Sequence, residues 1–490
     1  MLKSIERMLV AFDENNIKYC HWKSNEHLAD ALTGDTDLDM LFSPSQRSLL
    51  DKVLNECGLK RFRAMPLMQY NAIEDYIGFD KETAKIWHLH LHYRMTLGEP
   101  HLKGYTITPY TDYILDSRVM TKEGIYTSAP AVEYILLLIR MALKLRTRDW
   151  FRKVAKDDLI EQKWLIEHSE REGFERHARE MLHDERAIFA IRSLYGDVVT
   201  SKNQLRPLRK QLLRVMKPFT CNSLLKSRWL RTKREIFWLI GGIGRRLNLN
   251  PTKPFRRVSP CGGCVVAFLG CDGAGKSTTL DYLYHEYKKK LDVKTIYLGS
   301  GDGSSSLLRK PMKMVARRVG GKGLGHQVEK EYQEKKKVSL KSRLYSIAKI
   351  LWAVTLAKEK KGKLREMTKA RNQGMLVLTD RYPQIVMPGY SDGPLLTKYL
   401  KKGKGLFYRI AKWEYSIYES STINAPDLTV KLMVPTEIAI QRKPEMTVEE
   451  IDNKKAAVMA INVSRSVVVD TSHSKEETLG DIMEYIWEII

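Results

Sequence analysis

The chain has 490 residues, of which 43% are hydrophobic, and it carries a formal net charge of +25 at pH 7. This length allows about three domains with packed cores. No apolar run reaches the roughly 20 residues of a membrane span, and six irregularly spaced cysteines favour a reducing compartment over a disulfide framework. The first 16 residues alternate charges with one apolar helical face, unlike a signal peptide. We therefore expect a cytoplasmic protein.

Residues 1–128 are predicted to form a small α/β domain. An opening amphipathic helix is followed by a predicted strand at 17–22. Further on, Asp37 and Asp39 alternate with apolar residues, so the period of a strand places both carboxylates on one face. Two carboxylates fixed in this way suit Mg²⁺, and both are candidate metal ligands.

This stretch resembles the nucleotidyltransferase fold, in which a Gly-Ser turn precedes an Asp-x-Asp strand by about a dozen residues. Ser24, Asp37 and Asp39 match that pattern, and Lys23 stands where glycine is usual. The family carries a third carboxylate on a later strand, and His90 stands at the expected place.

Three histidines alternate along the predicted strand 86–93, so His88, His90 and His92 share one face. Two interpretations follow from the resemblance. Either His90 joins the two aspartates as a metal ligand, or the domain is a degenerate, non-catalytic nucleotidyltransferase.

Helices are predicted for residues 129–200. Pro130 marks a helix start, and the apolar run at 134–145 is long enough for a buried helix. A helical segment of this kind is expected to serve as scaffold beside the preceding domain.

Residues 201–260 are predicted to be a basic, amphipathic linker, with 16 Lys and Arg against one Glu. Apolar residues, among them Trp229 and Trp238, lie between the charges. One interpretation is a connector that packs its apolar face on a neighbouring domain. The other is peripheral contact with an anionic membrane surface, at the inner face of the membrane, or with an anionic polymer.

A phosphate-binding loop follows the apolar strand 265–269. The G-x-x-x-x-G-K-[ST] motif and the residue after it supply the candidate ATP-binding residues Gly270, Asp272, Gly273, Ala274, Gly275, Lys276, Ser277 and Thr278. The glycines let successive N–H groups point inward, towards the positive end of the next helix. Lys276 is expected to reach the β- and γ-phosphates as a catalytic residue, and Ser277 to ligate Mg²⁺.

A second buried strand, 375–379, ends in Asp380 and Arg381. A carboxylate at this place can hold Mg²⁺ or its water, and an arginine can bind phosphate with two N–H groups. Both residues are candidate catalytic groups, and Asp380 is also a candidate metal ligand.

Four elements occur in order in residues 261–490: the phosphate loop, Asp-Arg-Tyr-Pro, the strand 426–434, and Val-Val-Val-Asp before a terminal helix. Together they resemble thymidylate kinase. The resemblance implies transfer of phosphate from ATP, with Mg²⁺, to a nucleoside monophosphate or similar acceptor. It places Arg442, as a catalytic cation, and Lys443, as an ATP contact, in a lid over the phosphates.

Two loop residues also take roles from this resemblance. Gly273 stands where some members keep an arginine, so the missing cation would come from the lid or from Arg371. Asp272 matches an acidic residue that meets the acceptor sugar.

The sequence departs from the family around the acceptor. Leu269 replaces a common glutamate, and the segments 299–306 and 384–394 differ from the usual acceptor-binding stretches. A sugar, a lipid-linked saccharide or a nucleic-acid 5′ end are therefore alternative acceptors. The pairing of the two resemblances implies a role in bacterial surface-polysaccharide assembly for such a kinase. A third alternative is an ATP-gated, non-catalytic scaffold.

The predicted fold class is thus α/β. A P-loop kinase fold with a parallel sheet and flanking helices is expected for 261–490, and a nucleotidyltransferase-like domain for 1–128. A helical segment at 129–200 and the linker at 201–260 would connect them.

Overall fold

The computed structural model describes residues 1–146, 149, 152–247, 249, 252–299, 340–388, 392–462 and 464–490. The chain forms two compact units. The N-terminal unit comprises Met1–Asp80, Lys85–Leu249 and Phe255–Pro260, and the C-terminal unit comprises Lys81–Ala84, Asn250–Pro254 and Cys261–Ile490. Of the segments that depart from the thymidylate kinase pattern, residues 300–306 and 389–391 lie outside the described residues.

The N-terminal unit is built around an eight-stranded mixed sheet. Its strands are β1 (Tyr19–His21), β2 (Leu38–Phe42), β3 (Lys60–Ala64), β4 (Ile73–Asp80), β5 (Lys85–His92), β8 (Val119–Met120), β9 (Tyr126–Thr127) and β10 (Arg257–Val258), and a separate pair is formed by β6 (Met95–Leu97) and β7 (Tyr105–Ile107). The order across the large sheet is β10-β3-β4-β5-β2-β1-β9-β8. Because β2 and β5 are parallel neighbours, the predicted aspartate strand lies directly beside the predicted histidine strand.

Both faces of this sheet are covered, since its residues alternate between two cores. Along β2, Met40 and Phe42 face one core, which also contains the apolar stripe of the first helix, while Leu41 faces the other. The second core is organised by a helix whose residues Ala131 to Leu143 are all buried. The apolar run predicted at 134–145 is therefore a buried helix.

The helices of the N-terminal unit are α1 (Lys3–Glu14), α2 (Leu28–Leu32), α3 (Arg47–Glu56), α4 (Thr108–Asp116), α5 (Pro130–Lys144), α6 (Lys156–His168), α7 (Arg171–Leu182), α8 (Glu185–Arg192), α9 (Arg206–Val215) and α10 (Leu224–Arg246). The last two belong to the stretch expected to be a linker. They are part of the N-terminal unit because α9 buries Leu208 and Leu212 in the same core as α5.

The C-terminal unit contains a five-stranded sheet, parallel throughout, in the order β12-β13-β11-β14-β15. Its strands are β11 (Cys264–Gly270), β12 (Val293–Tyr297), β13 (Leu376–Asp380), β14 (Leu428–Met433) and β15 (Ser466–Asp470), and its described helices are α11 (Lys276–Lys290), α12 (Leu340–Asn372), α13 (Leu406–Ile423), α14 (Thr436–Arg442), α15 (Val448–Ala460) and α16 (Lys475–Ile489). The mixed α/β fold class with a parallel sheet is confirmed.

The central strand of the C-terminal sheet is β11, which lies between β13 and β14. In β11, Val265 to Phe268 are fully buried, as expected for a strand covered on both faces. The phosphate loop leaves the carboxyl end of this strand, where parallel α/β sheets place their binding crevices. Among the described helices, none is both long enough and apolar enough to cross a bilayer.

Candidate functional site

The phosphate loop joins β11 to α11 through three glycines whose conformations the loop requires. Gly273 and Gly275 have φ values of +84° and +86°, a region that favours glycine. A Cβ on Gly273 would lie 2.9 Å from the Ala439 carbonyl, and one on Gly270 would lie 2.8 Å from the Leu432 carbonyl. The motif glycines therefore allow both the turn and its close packing against β14 and α14.

Lys276 begins α11 and is held inside the loop. Its Nζ donates to the carbonyls of Gly270 and Cys271, each 2.7 Å away. Burial and then the positive charge of Arg381 lower the pKa of this ammonium group. Ser277 and Thr278, which follow, are exposed at the positive end of the helix.

Asp380 ends β13 beside the loop, because its position in the register is opposite Phe268 of β11. Burial raises the pKa of this carboxyl, although Lys276 and Arg381 oppose the shift. Its Oδ1 atom is buried and has no hydrogen-bond partner within the described residues. A buried acceptor of this kind fits a water molecule or a hard cation.

Arg381 lies on the same edge in a left-handed backbone conformation, with φ +67°. Its guanidinium group is 3.5 Å from Asp272 and 3.5 Å from Asp392. Burial acts to lower its pKa, but these carboxylates, with Asp392 first, raise the pKa above the usual value. Asp392 is also 3.2 Å from the buried ammonium group of Lys360. The carboxylates thus hold Arg381 in place as a permanent cation.

Lys454 completes this charged cluster, and no motif in the sequence marks it. It lies on α15, which begins with a capping box formed by Thr447 and Glu450. Its Nζ contacts the carboxylate of Asp272. Burial acts to raise the pKa of Asp272, but the contact with Lys454 brings it below the usual value. The carboxylate is therefore ionised in the loop.

The two predicted lid residues have different contacts. Arg442 donates to the carbonyl of Gly273 at 3.0 Å and to that of Thr471 at 3.4 Å, so it lies against the phosphate loop. Lys443 pairs instead with Glu445 at 3.7 Å. The end of α14 thus brings one cation, Arg442, directly to the loop.

The expectation that Arg371 could supply a cation to the phosphates is wrong. It lies at the end of α12, where its carbonyl is 2.0 Å from the position that a Cβ on Gly263 would occupy. Its guanidinium group is 3.9 Å from Asp427, just before β14. Both neighbours precede strands, so Arg371 is at the amino edge of the sheet, opposite the loop.

The described part of the segment 384–394 has no helix at its start. Residues 381–388 contain no helix. Gln384 is fully buried and closes a local turn, since its side chain bonds both the N–H and the carbonyl of Met387.

Comparisons with known proteins found relatives that are described as ATP-binding proteins. No family model matches the chain. The chain is 27% identical over 220 residues to an uncharacterized ATP-binding protein of Escherichia coli K12, YghS. The match covers 44% of this chain and 89% of the relative. It is 26% identical over 209 residues to a second such protein, YghR, over 42% of this chain and 79% of that one.

The C-terminal unit has a P-loop kinase-like fold. Its parallel sheet, the loop after the central strand and the similarity of the chain to ATP-binding proteins support this fold. A thymidylate kinase from Candida albicans is similar at 17% identity and a TM-score of 0.27, covering 46% of this chain and 92% of that one.

A second cluster lies in the N-terminal unit, where β2 and β5 pair. Asp39 is opposite His90 in the register, and the Oδ1 of Asp39 is 2.7 Å from the Nδ1 of His90. The Nε2 of His92 is 3.4 Å from that nitrogen and 3.7 Å from the same oxygen. One ligand atom from each residue lies within 4.8 Å of the others, a spacing that could hold a metal ion.

Asp37 is not part of that group of three. It precedes β2, and its carboxylate is 3.0 Å from the Nδ1 of His88. The Nε2 of His88 is 2.8 Å from Asp75, which also pairs with Arg257 at 3.0 Å. The two predicted aspartates are thus partnered by different histidines, and His92 takes the place expected for Asp37.

Two lysines lie near this cluster. The Nζ of Lys23, at the predicted glycine position, is 3.0 Å from the Oδ2 of Asp39. Burial acts to raise the pKa of Asp39, but Lys23 and the histidines bring it well below the usual value. Burial and the charge of Lys23 lower the pKa of Lys103 to about 8. No motif marked Lys103, because it lies in the loop between β6 and β7.

Burial keeps the imidazoles of the cluster neutral. It lowers the pKa of His90 and lowers that of His92 well below the usual value, although Asp39 opposes both shifts. Neutral imidazole is the form that binds metals. The cluster therefore provides two nitrogen ligands and one ionised carboxylate at neutral pH.

Proposed function

We propose that the protein is an ATP-dependent phosphotransferase that works at the phosphate loop of its C-terminal unit. The observation that carries the proposal is the grouping of Lys276, Asp380 and Arg381 at the carboxyl edge of the parallel sheet. A Gly-rich loop, a lysine and a carboxylate in this arrangement are the parts that recur in enzymes of phosphoryl transfer.

The chemistry needs position and charge more than a covalent intermediate. Backbone N–H groups of the loop and the ammonium group of Lys276 would bind the β- and γ-phosphates of ATP. An acceptor oxygen would form a bond to the γ-phosphorus as the bond to the bridging oxygen breaks, and ADP would leave. Arg381 and Arg442 would stabilise the negative charge on the transferred group.

Ser277 and Asp380 fit a Mg²⁺ ion, because one is an exposed hydroxyl at the start of α11 and the other has a buried oxygen without a partner. Bound there, Mg²⁺ would neutralise charge on the β- and γ-phosphates. Asp272 and Lys454 would lie on the acceptor side, as the family resemblance implies for Asp272.

For the acceptor we propose a nucleoside monophosphate or a similarly anionic molecule. Three cations contact the phosphate loop. Arg442 donates to the carbonyl of Gly273, and Arg381 and Lys454 contact the carboxylate of Asp272. A sugar, a lipid-linked saccharide of the kind used in surface-polysaccharide assembly, or a nucleic-acid 5′ end are the alternative acceptors. Without turnover, the protein would be an ATP-gated scaffold.

The proposal is tested by ADP formation from Mg-ATP with a panel of nucleoside monophosphates, sugars and 5′-hydroxyl oligonucleotides. We expect Asp380→Asn to lower turnover at least about a hundredfold with the fold intact. Asp427→Asn, at the amino edge of the same sheet, is the matched control. Equal turnover in both variants would show that Asp380 takes no part in the reaction.

We further propose that the N-terminal unit is a nucleotidyltransferase-like domain with a divalent metal at Asp39, His90 and His92. The distances of 2.7, 3.4 and 3.7 Å between their ligand atoms favour this. Nitrogen ligands suit a transition metal better than Mg²⁺. Calorimetry with Mn²⁺, Zn²⁺ and Mg²⁺ is the test, with Asp39→Asn as the variant and Asp30→Asn as its control. Absence of binding by the wild type would favour a degenerate domain.

A further inference from the structure

The helix α10 buries an arginine and exposes a row of apolar side chains. The side that faces the rest of the N-terminal unit carries polar groups as well as the rings of Phe237 and Trp238, which pack on Phe255. Arg234 is 8% exposed, and its guanidinium group donates to the carbonyls of Gln69 at 2.7 Å and His101 at 3.2 Å. Arg231 donates to Glu99 at 2.6 Å. Polar bonds and aromatic packing therefore both hold this helix in place.

The opposite side of α10 is apolar and faces solvent. Six large side chains recur at helical spacing, and their exposed fractions are 78% for Leu225, 61% for Trp229, 50% for Ile236, 63% for Ile240, 45% for Ile243 and 65% for Leu247. Intervals of three, four and seven residues place them on one side of a helix. We call this row the outer stripe. An exposed apolar row of this length marks an interaction surface.

Cations flank the outer stripe on both sides. The helical positions of Arg228 and Arg246 lie along one edge, those of Lys226 and Lys233 lie along the other, and all four residues are exposed. The Nζ of Lys233 is 4.8 Å from the ring centre of Trp229. The helix has one acidic residue, Glu235, and it contacts Arg146 away from the stripe. The surface thus presents apolar side chains between positive charges.

We propose that the outer stripe docks on an anionic membrane surface. The helix would lie in the plane of the interface, with its leucine, isoleucine and tryptophan side chains among the acyl chains and its flanking cations at the lipid phosphates. Tryptophan beside a lysine suits the boundary between the apolar region and the headgroups.

The charge pattern decides between a membrane and a second copy of the chain. Two outer stripes that packed together would bring their flanking cations close to one another, and like charges oppose such pairing. An anionic bilayer supplies both apolar depth and negative charge. The proposal is independent of the phosphotransferase activity, because α10 belongs to the other unit.

Flotation of the full-length protein with vesicles tests the proposal. We expect wild-type protein to float with phosphatidylcholine vesicles that contain phosphatidylglycerol, and not with phosphatidylcholine alone. High salt should weaken this binding. Ile236→Asp/Ile240→Asp should lower the affinity at least about tenfold. Phe189→Asp, at a residue 76% exposed on α8, is the matched control and should float like wild type.

The flanking cations are tested separately. Arg228→Gln/Lys233→Gln should weaken binding about fivefold per charge and reduce its salt dependence. Arg7→Gln/Arg186→Gln, at two exposed positions elsewhere in the unit, should have a much smaller effect. Melting curves by circular dichroism would check that each variant is folded.

Three results would overturn the proposal. The first is a wild-type protein that does not float with anionic vesicles at low salt. The second is equal flotation of the wild type and Ile236→Asp/Ile240→Asp. The third is a dimer, measured by light scattering, that the stripe variant dissociates while vesicles bind neither protein.

Discussion

The ammonium group of Lys454 contacts the carboxylate of Asp272, although the two residues are 182 positions apart in the sequence. The contact joins α15 to the phosphate loop. It also neutralises a negative charge that would otherwise oppose phosphate binding.

Replacing Lys454 tests this role. In Lys454→Met, the carboxylate of Asp272 loses its closest cation and repels the phosphates of ATP, so we expect ATP affinity to fall about tenfold. Lys455→Met is the matched control, because Lys455 is on the same helix and bonds Thr436 at 3.0 Å instead. Calorimetry with ATP checks both variants. An equal loss of ATP affinity in the two variants would show that the effect comes from removing any nearby positive charge, and not from the contact with Asp272.

A side chain at Gly273 is expected to weaken ATP binding. In Gly273→Ala, a side chain at φ +84° meets the Ala439 carbonyl, so the loop must shift and ATP binding should fall at least about tenfold. Gly403→Ala is the control, since Gly403 has φ +71° and open space around its Cβ position. Both variants should lose about 1 kcal/mol of stability from backbone strain. Unchanged ATP binding by Gly273→Ala would contradict the close approach.

Lys23 is expected to weaken metal binding at Asp39 in the N-terminal unit. Its ammonium group is 3.0 Å from Asp39, so it competes with any cation at that carboxylate. We expect Lys23→Ala to raise the affinity for Mn²⁺ or Zn²⁺ about tenfold. Lys3→Ala, on the exposed side of α1, should leave it unchanged. Equilibrium dialysis of both variants is the measurement, and a fall in affinity for Lys23→Ala would make the lysine part of the binding site.

The buried carboxyl of Glu133 is expected to make the stability of the protein depend on pH. It is fully buried and accepts a bond from the backbone N–H of Asn25 at 3.0 Å. Burial, with the charge of Glu161, raises its pKa to about 8. In the unfolded chain its pKa is about 4.5. The folded state therefore holds a proton that the unfolded state has lost, and this contribution to stability falls as pH rises from about 4.5 to about 8.

Hydrogen exchange of the α5 amides, corrected for the intrinsic pH dependence of exchange, measures this slope. We expect Glu133→Gln to remove the part of the slope that comes from residue 133, because glutamine does not titrate. Glu172→Gln, at an exposed position on α7, should retain it. An unchanged slope in Glu133→Gln would show that the carboxyl is ionised throughout.

The phosphate loop and its strand could be predicted because their information is local. A continuous apolar run, closely spaced glycines and one lysine define them without reference to the rest of the chain. The same holds for β5, where the alternation of His88, His90 and His92 fixes the face of the strand. These patterns also gave the correct fold class.

Contacts between distant elements could not be predicted in this way. Lys454 looks like any solvated helix residue until α15 is placed beside the loop. The sequence does not say at which edge of the sheet α12 ends, so it cannot show that Arg371 lies away from the phosphates. The sequence also could not show which side of α10 faces the unit. Arg234 is buried because it donates to backbone carbonyls of residues 69 and 101, which are far from it in the sequence.

We propose that ATP transfers its γ-phosphate at the loop around Lys276. The transfer of labelled γ-phosphate from Mg-ATP to the acceptor panel is measured for wild type, Lys276→Ala and Lys288→Ala, because Lys288 lies on the same helix and bonds Tyr284 instead. We predict labelled product from the wild type and Lys288→Ala, and at least a hundredfold less from Lys276→Ala. Equal transfer by all three proteins would show that Lys276 takes no part in the reaction.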